Sequence, residues 1–347
     1  MSKVRDESRY GEGHEDGLEP LSPLDPRQAT SVDALVRAMG DTAFGGRRLG
    51  EAADVLEAMV RDEHCFRVVT ISGAMTIAKQ GLVLCEMIER GWVQAIVTTG
   101  ALMTHGLSEG AGMLHFKHRV QMRDEELYGK GYNRVYDTIE LEKNLDDVER
   151  LLARAREDLP DDTVLSSRQI CEVLGRQLDR EDAGRAILKS AWRKQVPVYV
   201  PAFTDSELGL DVSIFNHMRR RDGKAPIPFD PFLDLDHFAN QIRAHETLGI
   251  FTIGGGVPRN WAQQVGPYLE ILRARIGADE PVRRYKYAVR ICPEPEHWGG
   301  LSGCSYTEGV SWGKFVPESE GGRFSEVFAD ATIAWPLVVR AVMERTS

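Results

Sequence analysis

The chain has 347 residues, 42% of them hydrophobic, and a formal net charge of −10 at pH 7. That length and composition suffice to bury a sizeable core, as one large α/β domain or two modest ones. Acidic and basic residues are interleaved, which argues against nucleic acid as a partner and is compatible with a cationic substrate. No run of about eighteen apolar residues occurs, so no membrane span is expected.

The five cysteines are scattered without a CxxC spacing. This pattern fits the reducing cytoplasm and indicates neither a disulfide framework nor a zinc site. Residues 1–30 are rich in Gly, Pro and charged residues and lack the apolar segment of a secretory signal, so a flexible arm is predicted there. No clean linker interrupts residues 31–347, which are predicted to form a single domain.

The remaining chain alternates between helical and strand-like patterns. Ser31 is placed to cap a helix over 32–39 that ends at Gly40, and a second amphipathic helix is predicted over 49–61. Further helical stretches fall around 145–156, 167–178 and 234–246. Short apolar strands separated by helices favour an α/β fold in which a parallel sheet is covered by helices on both faces. The predicted strands are residues 66–71, 93–99, 197–202, 248–253 and 287–291.

Small and polar residues follow four of these strands, at 72–76, 98–101, 203–206 and 254–256. Glycine lets backbone approach a phosphate, helix N-termini attract anions, and a carboxylate such as Asp205 can accept from ribose hydroxyls. These features favour a dinucleotide site beyond the carboxyl ends of the strands. The GxGxxG fingerprint is absent, however, and tight turns of any α/β protein remain an alternative.

The segment EGVSWGK at 308–314 is the second informative one. Lys314 has two interpretations, an ordinary solvated lysine or a nucleophilic amine. In the second, poor hydration against Trp312 lowers its pKa, and the free amine forms an imine with a carbonyl or exchanges with another imine. Trp312 is also suited to stacking on a cationic substrate.

An ordered set of motifs resembles deoxyhypusine synthase and its bacterial and archaeal relatives, from about Ser31 onward. The set comprises TTGALMTHGL at 98–107, YNRVYDT at 132–138, PAFTDSELG at 201–209, GGG at 254–256, EGVSWGKF at 308–315 and FADAT at 328–332. The resemblance implies a Rossmann-like NAD-binding fold and a homotetramer built of dimers, with active sites at the dimer interface. It also implies a reaction in which NAD⁺ oxidises spermidine, a lysine captures the aminobutyl group as an imine, and an acceptor amine receives it.

Carried over residue by residue, the resemblance makes Lys314 the imine-forming lysine and assigns amine binding to Glu308 and Trp312. The NAD contacts it implies are Thr76, Thr98, Thr99, Gly100, Asp205, Gly254, Gly255, Gly256, Asp330 and Ala331.

The departures from the family pattern bear on the substrate. Asn260 stands where the eukaryotic enzymes have a histidine thought to act as base, and Gln264 replaces a nearby asparagine. Family acids fall on Leu210, with Asp211 one step later, on Leu301 and on His105. Asparagine cannot act as a base, so proton transfer is assigned to His105 or Glu308. Asp211, Asn260 and Gln264 are the expected replacement contacts to the substrate.

The leading hypothesis is therefore an NAD-dependent aminobutyl transferase that acts on a polyamine or small amine, with homospermidine or a related amine as product. The alternatives are a true deoxyhypusine synthase that modifies a translation-factor lysine, and a non-catalytic NAD-binding protein. No metal is expected, because the HxxH pair His115 and His118 lacks an evident third ligand and is interpreted as surface histidines.

Overall fold

The computed structural model describes residues 5–157, 160, 163–182, 184–300 and 304–347. Its centre is a six-stranded sheet in the order β6-β2-β1-β7-β8-β9, and every neighbouring pair is parallel. The predicted α/β fold with a parallel sheet is confirmed. The strands of this sheet are β1 (Cys65–Ile71), β2 (Ala95–Thr98), β6 (Val198–Tyr199), β7 (Thr247–Ile253), β8 (Tyr285–Ile291) and β9 (Arg323–Val327).

Fourteen α-helices are found in the described part of the chain, and many of them cover the sheet. They are α1 (Val32–Gly40), α2 (Phe44–Arg61), α3 (Gly81–Glu89), α4 (Gly100–Gly110), α5 (Asp124–Gly129), α6 (Glu142–Arg156), α7 (Ser167–Arg180), α8 (Ile187–Arg193), α9 (Glu207–Arg221), α10 (Phe232–Ala244), α11 (Gly256–Gln263), α12 (Val265–Ile276), α13 (Tyr306–Ser311) and α14 (Ala331–Arg345). Across the described ranges, none of these helices is both long and apolar enough to cross a bilayer.

Successive residues of the central strands enter two different cores. Val69 and Phe251 pack in a cluster with Leu56 of α2 and Trp335 of α14. Val68 and Ile250 point the other way, into a cluster that contains Phe238 of α10. Strands buried on both faces must be apolar at every position, which is why their sequences read as continuous runs rather than as alternating patterns.

The first and last helices pack together. Ser31 caps α1 by accepting a hydrogen bond from the Ala34 N–H at 3.0 Å, as predicted. Near the end of α14, the Arg345 guanidinium lies 2.5 Å from Asp33 of α1, and 2.7 and 3.1 Å from Asp54 and Glu57 of α2. The Arg345 side chain is only 1% exposed, so these ion pairs tie three helices together.

Several elements differ from the predicted pattern. β6 is shorter than predicted because Pro197 and Pro201 flank it, and proline has no N–H to donate to a ladder. A second, antiparallel sheet in the order β3-β5-β4 is formed by β3 (Phe116–Lys117), β4 (Tyr132–Val135) and β5 (Thr138–Leu141). Residues 5–30 are mostly exposed and contain one short 3₁₀ helix, Glu7–Arg9. The division into a flexible arm and one domain stays a prediction.

Candidate active site

Lys314 is placed by a short helix and a left-handed turn. Ser305 caps α13 by accepting from the Glu308 N–H at 3.0 Å. Gly313 then adopts φ 71°, a conformation that favours glycine, and the Lys314 N–H donates back to the Gly309 carbonyl at 3.1 Å. Gly309 is needed too, because a Cβ there would lie 2.6 Å from the Phe315 ring. The local sequence therefore fixes where the lysine leaves the backbone.

The Lys314 amine is held in a poorly hydrated position. The residue is 7% exposed. Its Nζ donates to Asn260 Oδ1 at 3.4 Å and lies 5.8 Å from the centre of the Trp312 ring. Desolvation lowers the pKa of Lys314, and although Cys304 and Glu308 oppose this effect, the Arg259 guanidinium adds to it. An amine with a lowered pKa is neutral, and hence nucleophilic, over a wider pH range.

Two buried arginines support the segment that precedes the lysine. Arg259 and Arg290 are both 1% exposed, and each donates a hydrogen bond to the Cys304 carbonyl. Arg259 also lies over the Tyr306 ring at 5.4 Å, and Arg290 lies 3.7 Å from Glu326. Neither arginine was predicted from the sequence, because no sequence motif identifies an arginine that is buried for a structural role.

The residues carried over as NAD contacts come largely from one edge of the sheet. Gly100 follows β2, Gly254 and Gly255 follow β7, and Asp330 follows β9, all at the carboxyl ends of parallel strands. Asp330 caps α14 by accepting from the Thr332 N–H at 2.8 Å, and Ala331 begins that helix. Asp205 lies in the exposed turn after β6.

The glycines at this edge allow close backbone packing. Ser72 Oγ accepts from the Gly255 N–H at 2.9 Å. Gly254 has φ 76°, and a Cβ there would lie 2.4 Å from Ser72 Oγ. A Cβ on Gly100 would lie 2.1 Å from Ser206 Oγ. These positions therefore accept no larger residue without a shift of their neighbours.

Three threonines line the same region. Thr99 caps α4 by accepting from the Leu102 N–H at 3.3 Å, and buried Thr76 donates to the Leu102 carbonyl at 3.0 Å. Thr98 Oγ1 is buried and has no hydrogen-bond partner among the described residues. A buried hydroxyl without a partner costs free energy, and a bound polar ligand relieves that cost. The site chemistry thus fits a dinucleotide.

The predicted substrate contacts lie on or next to two helices, α11 and α9. Asn260 contacts its amine, while Gln264 lies exposed one turn further along, at the end of α11. Asp211 lies on α9, where burial first, and then the neighbouring carboxylates of Glu149 and Glu207, raise its pKa to about 6. Leu210 is 56% exposed on the same helix, and Leu301 lies outside the described residues.

Trp261, next to Asn260 on α11, is partly buried and stacks on Phe238 with ring centres 5.1 Å apart. The interpretation of His115 as a surface histidine is wrong, because its side chain is 1% exposed and its Nε2 lies 3.2 Å from Glu140. His105 also contacts Glu140, at 2.5 Å. No spacing in the sequence signalled Glu140.

A family model described as deoxyhypusine synthase matches residues 34–342. A Methanosarcina acetivorans protein named "Probable deoxyhypusine synthase 2" is 34% identical over 328 residues, which cover 94% of this chain and 90% of the relative. This chain belongs to the deoxyhypusine synthase family. The members of this family are transferases. The EGVSWGK segment with Lys314 is therefore interpreted as part of a transferase.

Other relatives agree with this assignment. A "Deoxyhypusine synthase-like protein" of Chlorobaculum parvum is 31% identical over 313 residues, or 89% of this chain and 85% of the relative. A crystal structure of an Entamoeba histolytica protein assigned as a deoxyhypusine synthase superposes with a TM-score of 0.61 at 14% identity, covering 94% of this chain and 98% of the other. At that identity the superposition supports the fold alone.

Proposed function

We propose that this deoxyhypusine synthase family member is an NAD-dependent alkylamine transferase in which Lys314 carries the substrate fragment as an imine. The observation that supports it most is the state of the lysine. The residue is nearly buried, the pKa of its amine is lowered, and Nζ lies near both Asn260 and the exposed ring of Trp312. Structural lysines more often keep the charged amine in water and bury only the stem.

NAD would be held by the carboxyl edge of the sheet. The glycines at 254–256 and Gly100 admit close backbone approach, Thr98 offers a buried hydroxyl, and Asp205 is exposed for a ribose. When bound, NAD would accept a hydride from the carbon beside an amine nitrogen and later return it to the final imine. Gly100 also begins α4, whose N-terminus favours an anion.

Lys314 performs the transfer step. In its neutral form Nζ adds to the imine carbon of the oxidised substrate, the C–N bond to the original amine breaks, and that amine leaves with a proton. The fragment is then an imine on Lys314. An acceptor amine attacks the same carbon, takes over the imine and releases Lys314 as a free amine. Trp312, 63% exposed beside Nζ, presents a ring face to the cationic ends of the substrate.

Proton transfer at this step is assigned to Glu308 in preference to His105. Glu308 is exposed and close enough to Lys314 to influence its pKa. His105 contacts Glu140 on the side of α4 instead. Asn260 has no basic group and holds the amine by a hydrogen bond.

The proposed substrates are a polyamine or small amine as donor and a second small amine as acceptor, which gives homospermidine or a related product. This follows from the changed substrate positions, since Leu210 and Asn260 replace family residues while EGVSWGK is retained. The proposed assembly is a homotetramer with active sites at the dimer interfaces.

True deoxyhypusine synthase activity is the second candidate, and the names of the relatives favour it. In that case the acceptor is a lysine of a translation factor. A non-catalytic NAD-binding role is the third, and the asparagine at position 260 favours it.

One experiment separates these candidates. The purified protein is incubated with NAD and spermidine, with either a small diamine or the protein acceptor, then treated with borohydride and analysed by mass spectrometry. We expect an adduct on Lys314 and a polyamine product with the small acceptor. Turnover only with the protein acceptor establishes the second candidate. An unmodified Lys314 with every amine that turns over contradicts the covalent mechanism, and NAD binding without any turnover supports the third.

A further inference from the structure

Three residues outside the Lys314 site converge on one point. His105 comes from α4, His115 immediately precedes β3, and Glu140 belongs to β5. One potential ligand atom of each lies within 4.8 Å of the other two. The side chains of His115 and Glu140 are 1% exposed, and that of His105 is 18% exposed. The His115 and Glu140 side chains are therefore shielded from solvent, and solvent approaches the cluster on the side of His105.

We propose that His105, His115 and Glu140 form a binding site for a divalent transition metal, most naturally Zn²⁺. Two imidazoles and one carboxylate are a ligand set that leaves a fourth tetrahedral position for water. None of the three residues takes part in the transfer step assigned to Lys314, so this site stands or falls independently of it.

The distances suit such an ion with one adjustment. Zn–N and Zn–O bonds of about 2.0–2.2 Å place tetrahedral ligand atoms about 3.3–3.5 Å apart. His115 Nε2 and Glu140 Oε1 are already 3.2 Å apart. His105 Nδ1 lies 2.5 Å from the other carboxylate oxygen, Glu140 Oε2, and must withdraw by about 1 Å for that oxygen to share the ion with it. Its side chain has the exposure to do so.

A buried polar atom without a hydrogen bond lies in the same cluster. His105 Nδ1 is buried and, although close to Glu140, makes no hydrogen bond of acceptable geometry within the described structure. Buried imidazole nitrogens are ordinarily hydrogen-bonded or metal-bound.

Lys79 competes with the metal. Its Nζ lies 2.6 Å from His115 Nδ1 and donates to that nitrogen. The proton of the neutral ring is then on Nε2, which is the nitrogen that would bind the metal. When Nε2 binds a metal, Nδ1 carries the proton and no longer accepts from an ammonium. The Lys79 side chain is 45% exposed and lies 3.4 Å from Glu109, so it can turn to that carboxylate. Removal of Lys79 should therefore strengthen metal binding.

A metal here would join the small antiparallel sheet to the main body. Two ligands belong to or adjoin β3 and β5, and the third lies on α4, which follows the central strand β2. A bound ion stabilises the folded chain in proportion to its affinity. The expected effect is a higher melting temperature and slower amide exchange in residues 115–141.

The test uses the full chain without a polyhistidine tag, stripped with chelator and titrated with Zn²⁺ and, for spectroscopy, Co²⁺. We expect one Zn²⁺ per chain and the visible bands of tetrahedral Co²⁺. His115→Ala and Glu140→Gln should weaken binding by about a hundredfold, whereas Lys79→Met should tighten it by about tenfold. His118→Ala, the other histidine of the HxxH pair, is the matched control and should bind as the unaltered chain does.

The proposal is overturned if the stripped, folded chain binds no Zn²⁺, or if binding persists in both His115→Ala and Glu140→Gln. Glu140→Gln keeps the size of the side chain, and circular dichroism of each variant verifies folding. A loss of binding in the His118→Ala control would also contradict the assignment, since it would place the ion elsewhere.

Discussion

Lys314 donates a hydrogen bond from its amine to the side-chain oxygen of Asn260, across 54 positions of sequence, at 3.4 Å. The partner is uncharged, so it orients the amine without holding the proton on it. A charged partner would act differently, because a carboxylate within about 4–6 Å favours the ammonium form.

We therefore expect Asn260→Asp to raise the pKa of Lys314. The pH at which half of the maximal imine-trapping rate is reached should move upward by about one unit. The measurement is the rate of borohydride trapping against pH. Asn260→Ala, which removes the hydrogen bond without adding charge, is the control and should shift the profile less. An Asp variant with an unchanged profile contradicts this electrostatic account.

Lys314→Arg keeps a cation but removes the nucleophile, because arginine stays protonated. We expect trapping to disappear and kcat/KM to fall by about a thousandfold or more, while the affinity for NAD measured by calorimetry changes little. Lys286→Arg, on β8, is the matched control. Near-normal turnover in Lys314→Arg would show that another group carries the fragment.

The burial of Lys314 also affects stability. The pKa of Lys314 in the folded chain lies below the ordinary lysine value of 10.5. Between those two values the unfolded chain binds the extra proton, so the free energy of unfolding rises with pH. Lys314→Met removes this dependence. The variant should be more stable than the unaltered chain near neutral pH, with a difference that shrinks toward pH 10.5. Urea titrations at a series of pH values measure it, and a pH-independent difference contradicts the assignment.

Gly100 and Ser206 are packed too closely for a Cβ. We expect Gly100→Ala to lower the free energy of unfolding by about 1–3 kcal/mol, because the new Cβ would lie 2.1 Å from Ser206 Oγ. The double variant Gly100→Ala with Ser206→Gly should recover much of the loss in denaturant titrations. Gly129→Ala, in a helix with open space around it, is the control and should cost nothing.

Arg345 ties α14 to α1 and α2 through three carboxylates. Arg345→Met should destabilise the chain by about 1–3 kcal/mol, since it removes the buried cation beside Asp33 and Glu57 and leaves them only the exposed Arg37 and Arg61. Arg340→Met, which breaks only an exposed pair with Glu344, should cost less than about 0.5 kcal/mol. Thermal unfolding measures both, and equal losses would show that burial of Arg345 adds nothing.

Local chemistry explains which predictions from the sequence succeed. The Ser31 cap and the β-branched runs that become β1 and β7 depend on neighbouring residues, and the structure confirms them. The predicted length of β6 was wrong because two prolines outweigh its apolar pattern. The two short strands β3 and β4 are largely exposed. Their sequences therefore lack the alternation of apolar and polar residues from which a strand is predicted.

The candidate sites also contain parts that the sequence predicts and parts that it does not. EGVSWGK marks Lys314 because one short segment builds the whole turn. The convergence of His105, His115 and Glu140 depends on how α4 meets the antiparallel sheet, and tertiary packing of this kind leaves no spacing rule in the sequence. Asp211 lies among charged residues of α6 and α9, namely the carboxylates of Glu149 and Glu207 and the guanidinium of Arg156, and its role as a substrate contact stays a prediction.

The strand order has a consequence for synthesis on the ribosome. β1 lies between β2, its near neighbour in sequence, and β7, with Thr70 and Thr252 in contact across 182 positions. During translation β1 and β2 can pair early, but the other edge of β1 stays open until β7 has emerged. An unpaired apolar edge invites association between chains. The nascent chain therefore carries its greatest aggregation hazard through the middle of its translation, and slower folding of this parallel sheet prolongs it.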